Sequence, residues 1–205
     1  MTATQTLATG SGTYAHSLAV RKDDLYETPP QAMQALLNST WLPDVIWEPA
    51  CGPGAIVRAL EDAGHNVIAS DLVDYEWGHQ ARCDFLMERE SRADTIVTNP
   101  PFKLAEEFAE HAKSLAPNVH LLLRLAFLEG LRWERGLSQG LERVLIFAPR
   151  LPFMHRAGYD GPRNSNSGMP FAWFVWDREH AGPPTIGWVN ARKIPTTADL
   201  REDAR

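Results

Sequence analysis

Asn99-Pro100-Pro101-Phe102 is the segment of this 205-residue chain best suited to chemistry on an amine. The apolar run Thr95 to Thr98 before it predicts a strand. The tetrapeptide therefore stands at the edge where open α/β sheets bind ligands. A planar exocyclic amine is a poor nucleophile because its lone pair is delocalised into the ring. Acceptors from the Asn99 side chain and the Pro100 carbonyl would hold its two N–H groups out of plane and localise that lone pair. Pro100 and Pro101 stiffen the loop, and Phe102 offers a face on which a base can stack. No general base is needed before attack, since the amine can shed its proton afterwards. The plain alternative is a Pro-Pro turn with Phe102 buried.

A second constellation lies upstream. Val45-Ile46-Trp47 predicts a strand running into Glu48-Pro49-Ala50-Cys51-Gly52-Pro53-Gly54, and a helical pattern follows with Ile56, Val57 and Leu60 on one face until Gly64. Asn66 to Ser70 then predicts a strand ending at Asp71, which completes a βαβ unit with parallel strands. A glycine turn lets backbone approach a ligand closely, and a carboxylate ending the next strand can take a ribose hydroxyl pair. Asp71 follows Gly54 by 17 residues, near the spacing of roughly 20 expected for that role. A pyrophosphate fits less well. Val57 stands where G-x-G-x-x-G has its third glycine, Pro53 removes an N–H donor, and Glu48 would repel an anion. A nucleoside with a positive sulfonium and an amino group suits this acidic turn better. Further on, Asp84-Phe85 follows a weaker third strand and offers a carboxylate for an adenine amino group and an aromatic edge for its ring; a surface Asp beside a core Phe is the alternative. Cys51 has no candidate base nearby in sequence and reads as a small packing residue.

Together, Glu27-Thr28-Pro29-Pro30, Glu48 to Gly54, Asp71, Asp84-Phe85 and Asn99-Pro100-Pro101-Phe102 resemble class I S-adenosylmethionine-dependent methyltransferases of the N6-adenine type, in the gamma order of motifs. The resemblance spans about residues 24 to 190. Leu125-Ala126-Phe127-Leu128-Glu129-Gly130, Arg132 and Phe171 to Asp177 are also similar to small phage and prophage methyltransferases. It implies an α/β, Rossmann-like methyltransferase fold: a seven-stranded, mostly parallel sheet with one antiparallel strand and helices on both faces. It further implies S-adenosylmethionine as cofactor. Thr28 would touch the cofactor carboxylate, Glu48, Pro49, Ala50, Gly52 and Gly54 would form the turn around its methionine end, Asp71 would take the ribose, and Asp84 and Phe85 the adenine. Asn99, Pro100, Pro101 and Phe102 would hold the target base.

These residues need elements to position them. Thr28 is placed to cap a helix entered through the prolines and continued by Gln31 to Leu37. Further strands are expected at Val119 to Leu123, Val144 to Ala148 and Phe171 to Trp176, with a helix from Leu104 to Leu115. Strands alternate with helices until Ala148 and then two strands come close together, which fits an α/β sheet with one antiparallel strand near its end. Trp173, Trp176 and Trp188 are expected in the core. One domain over 23–190 is expected, with a mobile tail at 1–22 and a polar tail at 191–205.

Composition narrows the setting. With 44% hydrophobic and 22% charged residues the chain has the makeup of a globular protein rather than a disordered one. Two cysteines, Cys51 and Cys83, are too few for a disulfide framework or a four-thiolate zinc site, and no segment reads as a signal peptide or membrane span, so a cytoplasmic location is expected. Net charge is −6, but unevenly spread: residues 1–119 hold 8 Lys+Arg against 17 Asp+Glu, whereas 120–165 hold 7 against 4. Nucleic acid would therefore face the middle segment.

The loop 151–170, with Phe153, His155, Arg156, Tyr159 and Arg163, mixes cations for phosphates with aromatics for bases, and Lys103, Arg124, Arg132 and Arg135 extend the track. A solvated loop with ordinary surface arginines is the alternative. No separate target-recognition domain fits in the length, so specificity should be low or short. The expected partner is DNA, either duplex with the base flipped out or single-stranded. RNA or a protein glutamine amide is an alternative acceptor, and a non-catalytic DNA-masking module is a further alternative. No metal is expected, because Glu107 and His111, one helical turn apart, read as a surface contact.

Overall fold

A computed structural model describes residues 26–76, 80–152 and 169–190. The 1–22 and 191–205 segments lie outside the described residues, as do His155, Arg156, Arg163 and nearly all of the 151–170 loop. In chain order the elements are α1 (Pro30–Ser39), β1 (Val45–Glu48), α2 (Ala55–Asp62), β2 (Asn66–Asp71), β3 (Gln80–Arg82), β4 (Thr95–Thr98), α3 (Ala105–Leu115), β5 (Asn118–Arg124), β6 (Leu141–Phe147), β7 (Phe171–Asp177) and β8 (Thr185–Val189).

The strands form one sheet in the order β3-β2-β1-β4-β5-β7-β6-β8. Only β7 is reversed, pairing antiparallel with β5 and β6, while every other neighbouring pair is parallel. The expected α/β class and single reversed strand are therefore present, and an eighth strand extends the expected seven. That strand is short, follows Pro183-Pro184 and carries Gly187, where a Cβ would meet Leu145 Cδ2 at 3.3 Å. Its apolar alternation was too brief to announce it.

Successive strand residues point to opposite faces, and each face has its own core. Ile46, Val97, Leu122, Trp173 and Val175 pack with Ala32, Met33 and Leu36 of α1 and with Ile56 and Leu60 of α2. Trp47, Ile96, Val119, Leu121, Phe174 and Trp176 pack on the other side with Phe108, Ala109 and Ala112 of α3. Buried indoles are satisfied: Trp47 Nε1 donates to Ser70 Oγ, Trp173 Nε1 to the Ala32 carbonyl and Trp176 Nε1 to the Leu137 carbonyl, each at 2.8 Å. The third tryptophan departs from expectation. Trp188 is 70% exposed on β8, the strand at the edge of the sheet. None of the described helices is long and apolar enough to cross a membrane.

Candidate active site

The carboxyl ends of β1, β2 and β4 converge on one cleft, with about 870 Å³ of space including its open mouth. It brings together Thr28, Glu48, Pro49, Ala50, Gly52, Asp71, Asp84, Phe85, Asn99, Pro100, Pro101 and Phe102, residues spread over 75 positions of sequence. Gly54 is not on its wall. With φ of 84° it sits instead at the start of α2, and Gly52 has φ of 49°. Both values favour glycine, so the turn folds back sharply and leaves backbone at the cleft.

That turn fixes the ribose candidate. The Gly52 N–H donates to Asp71 Oδ2 and the Val73 N–H to Asp71 Oδ1, each at 2.9 Å. These two donors hold the carboxylate in place at the cleft. Glu48, at the end of β1, is only 1% exposed, and its Oε2 has no hydrogen-bond partner. Burial, and then the nearby Asp71 charge, raise its pKa well above the usual carboxylate range against the opposing pull of the Val57 N–H and Arg58. A buried carboxyl with an unused oxygen, beside a second carboxyl, is suited to receive a cationic group. Cys51 is buried beside Val57 and Ala69, and burial followed by Glu48 and Asp71 pushes its thiol far above the ordinary range. It is a packing residue, not a thiolate nucleophile.

Asp84 and Phe85 divide the two readings given above. Asp84 Oδ1 accepts the Leu86 N–H at 3.2 Å and starts the 3-10 turn Phe85–Met87. Phe85 is buried, edge-on to Trp47 at 5.3 Å and against Phe108 at 4.9 Å, yet both residues border the cleft. Tyr75 was missed from sequence and lines the cleft too; burial, then Asp71, pushes its phenol up to about 12. Nothing in its local sequence marks it.

The tetrapeptide carries the sharpest geometry. Asn99 Nδ2 donates to the Tyr26 carbonyl at 3.2 Å and to Thr28 Oγ1 at 3.0 Å, while Asn99 Oδ1 is buried with no partner. Thr28 is thus not the helix cap expected. Pro29 occupies the cap position, no side chain caps α1, and the Thr28 hydroxyl, one residue too early to reach the free N–H groups, serves Asn99. Phe102 is half-buried in the 3-10 turn Phe102–Leu104, stacked on Tyr26 at 5.3 Å and beside Phe171 at 5.5 Å.

The basic candidates separate. Lys103 is exposed next to Phe102. Arg124 ends β5 with its guanidinium 4.5 Å from the Phe102 ring centroid. Arg132 is turned to structure: its Nε meets Glu106 Oε2 at 3.0 Å, Nη1 donates to the Phe127 carbonyl at 3.3 Å, and the guanidinium lies over the Phe127 ring. Among the described residues no group of three or more His, Cys, Asp or Glu is arranged to hold a metal.

No protein-family model and no curated protein matches the chain. Solved structures do. A protein described as a modification subunit of a type I restriction enzyme, from Vibrio vulnificus, aligns over 87% of this chain with 15% identity and a TM-score of 0.53. The chain spans 49% of that protein. A predicted O-methyltransferase from Agrobacterium tumefaciens aligns over 85% of this chain and 94% of its own length, with 11% identity and a TM-score of 0.55. The chain shares the Rossmann-like α/β fold of these solved structures.

Proposed function

We propose that the chain transfers a methyl group from S-adenosylmethionine to the exocyclic N6 amine of adenine in DNA, with low or short sequence specificity. The observation that carries this is the buried Asn99 Oδ1 with no partner, set in the same cleft as Asp71 and as the Glu48 Oε2 that likewise has none. These groups fit the two ligands. Glu48, with Ala50 and Gly52, would hold the cationic methionine end, Asp71 the ribose hydroxyls, and Asp84 and Phe85 the adenine. When bound, S-adenosylmethionine supplies a methyl carbon on a sulfonium whose C–S bond breaks as the electron pair leaves with sulfur.

Asn99 Oδ1 and the Pro100 carbonyl would accept the two N6 hydrogens and bias the amine nitrogen toward a localised, out-of-plane lone pair. The two prolines keep those acceptors from relaxing, so they are organised before the substrate arrives. As the N–C bond forms, the nitrogen becomes cationic, and the same two oxygens stabilise that charge until the proton leaves to solvent. Phe102 would stack on the base, and Lys103 and Arg124 would meet the strand beside it. An adenine within a duplex must be flipped out to reach this cleft, while single strands need no unpairing.

The test is methyl transfer from labelled cofactor to duplex and single-stranded DNA, with nucleoside digestion and Asn99→Ala as control. N6-methyladenine from the wild type, reduced by about 100-fold or more in the variant, is expected. Label in RNA or in protein glutamine but not in DNA would reject the DNA assignment. A lack of binding to S-adenosylmethionine or S-adenosylhomocysteine would reject the enzyme in favour of a DNA-masking module.

A further inference from the structure

We propose that Thr28 is a positioning residue that acts through Asn99: with the Tyr26 main-chain carbonyl it commits the carboxamide to one orientation and leaves Oδ1 as the acceptor facing the substrate. The inference rests on the proposed methyl transfer for its chemical meaning, but its geometry stands apart from it. A carboxamide has two nearly isosteric ends, one that donates twice and one that only accepts. The Tyr26 carbonyl is an acceptor alone, so it can face only the amide nitrogen, at 3.2 Å. Thr28 Oγ1 takes the second hydrogen of the same nitrogen at 3.0 Å. Both donors of Asn99 are thereby used, and the flipped state would set Oδ1 against the Tyr26 carbonyl, a repulsive pair.

The placement of these partners strengthens the assignment. Thr28 is buried and lies on the cleft wall beside Asn99, and it does not cap α1. Tyr26 is held in turn by its ring, stacked on Phe102 at 5.3 Å and 24°. The residue that would stack the base and the residue that would bind its amine are therefore braced by the same short segment, 26–28, more than 70 residues upstream. Such a brace costs no reorganisation when the substrate enters, which is the condition for acceptors to favour the transition state. The resemblance assigns Thr28 to the cofactor carboxylate. The contact found here instead predicts an effect on turnover with cofactor affinity preserved.

The experiment compares full-length wild type, Thr28→Val and Thr28→Ser. Its first readout is the Asn99 Nδ2 proton pair in nitrogen-15 NMR, assigned by its loss in Asn99→Ser. The other readouts are kcat on adenine-containing DNA and the Kd for S-adenosylhomocysteine. Thr28→Val should speed hydrogen exchange of that pair and lower kcat by about 10-fold. It should leave the Kd within about 3-fold, and Thr28→Ser should recover both readouts. An unchanged proton pair in Thr28→Val, an unchanged kcat, or a loss wholly accounted for by weaker cofactor binding would overturn the proposal. If the wild type methylates nothing while its Asn99 protons are protected and Thr28→Val releases them, the brace stands and the methyl-transfer reading falls.

Discussion

The Arg124 guanidinium lies 4.5 Å from the centre of the Phe102 ring, although the two residues belong to neighbouring elements 22 positions apart. β4 and β5 are paired with Thr98 opposite Leu121, so the turn after β4 and the end of β5 emerge side by side. Tyr26 stacks on the same ring, and Arg124 Nε is buried without a hydrogen-bond partner. Under the proposed function, a base stacking on the face that Arg124 covers would displace that guanidinium toward the nucleic-acid strand.

Arg124→Met keeps the apolar stem and removes the charge. Stability should change by less than about 1 kcal/mol, the scale of an accessible cation–π contact. For DNA, the slope of log Kobs against log salt should become shallower by about 0.9, the value for one phosphate contact on duplex. An unchanged slope in a salt titration would remove Arg124 from the substrate surface.

Glu48 should set stability against ligand binding. Its folded pKa is raised, so the native state holds a proton that the unfolded state gives up from the ordinary carboxylate range upward. The penalty is absent below the unfolded pKa and grows as pH rises toward the folded one. Glu48→Gln should therefore melt higher than wild type at neutral pH, by a margin that shrinks toward pH 4, while losing affinity for S-adenosylmethionine. In the wild type, ionisation of Glu48 against the cation should release a proton on binding, seen as a dependence of calorimetric heat on the buffer's ionisation enthalpy. Equal heats in all buffers would mean that Glu48 keeps its protonation state.

Cys51 stands between Glu48 and Gly52 in the turn, but its thiol is held far from ionisation. Native protein at pH 8 should resist alkylation at Cys51 by iodoacetamide, with modification following unfolding, and Cys51→Ala should keep methyl transfer within a few fold. Rapid stoichiometric labelling of Cys51 in the folded protein, read by mass spectrometry, would contradict this.

Much of the candidate site is legible in the sequence because its parts are local. Gly52 and Gly54 announce a turn needing positive φ, Asp71 ends a strand of recognisable pattern, and the proposed chemistry of Asn99 to Phe102 sits in four consecutive residues. The brace from Tyr26 and Thr28 was not legible, since it spans 73 and 71 residues and depends on where α1 is entered. Thr28 looked like a cap because capping residues and prolines commonly occur together at helix starts, and a one-residue offset reassigns its hydroxyl. Arg132 has the residue type of a phosphate ligand, but Glu106, 26 residues away, pairs with it. Trp188 is expected inside because tryptophan usually is, but it lies on the edge strand of the sheet and is exposed.

His120 is the counterpart of Glu48 on the acid side. It lies on β5 in line with Val97, Val175 and Arg143 across the sheet, is buried, and its Nδ1 has no partner. Burial, and then the Arg143 charge, lower its pKa from 6.5 to about 3. Its native state stays neutral while the unfolded chain takes up a proton below pH 6.5, so stability is full above that value and falls as pH drops toward 3. The slope from this one group is at most about 1.4 kcal/mol per pH unit. Between about pH 4.5 and 6.5 this slope opposes the one from Glu48, so urea midpoints measured from pH 7.5 to 4.5 should change little in the wild type, whereas in His120→Leu they should rise as pH falls. The variant also replaces a partnerless polar atom with an apolar one, so its midpoint at pH 5 should match or exceed that of the wild type. Equal pH profiles in both proteins would mean that His120 finds a partner or water that lets it titrate normally.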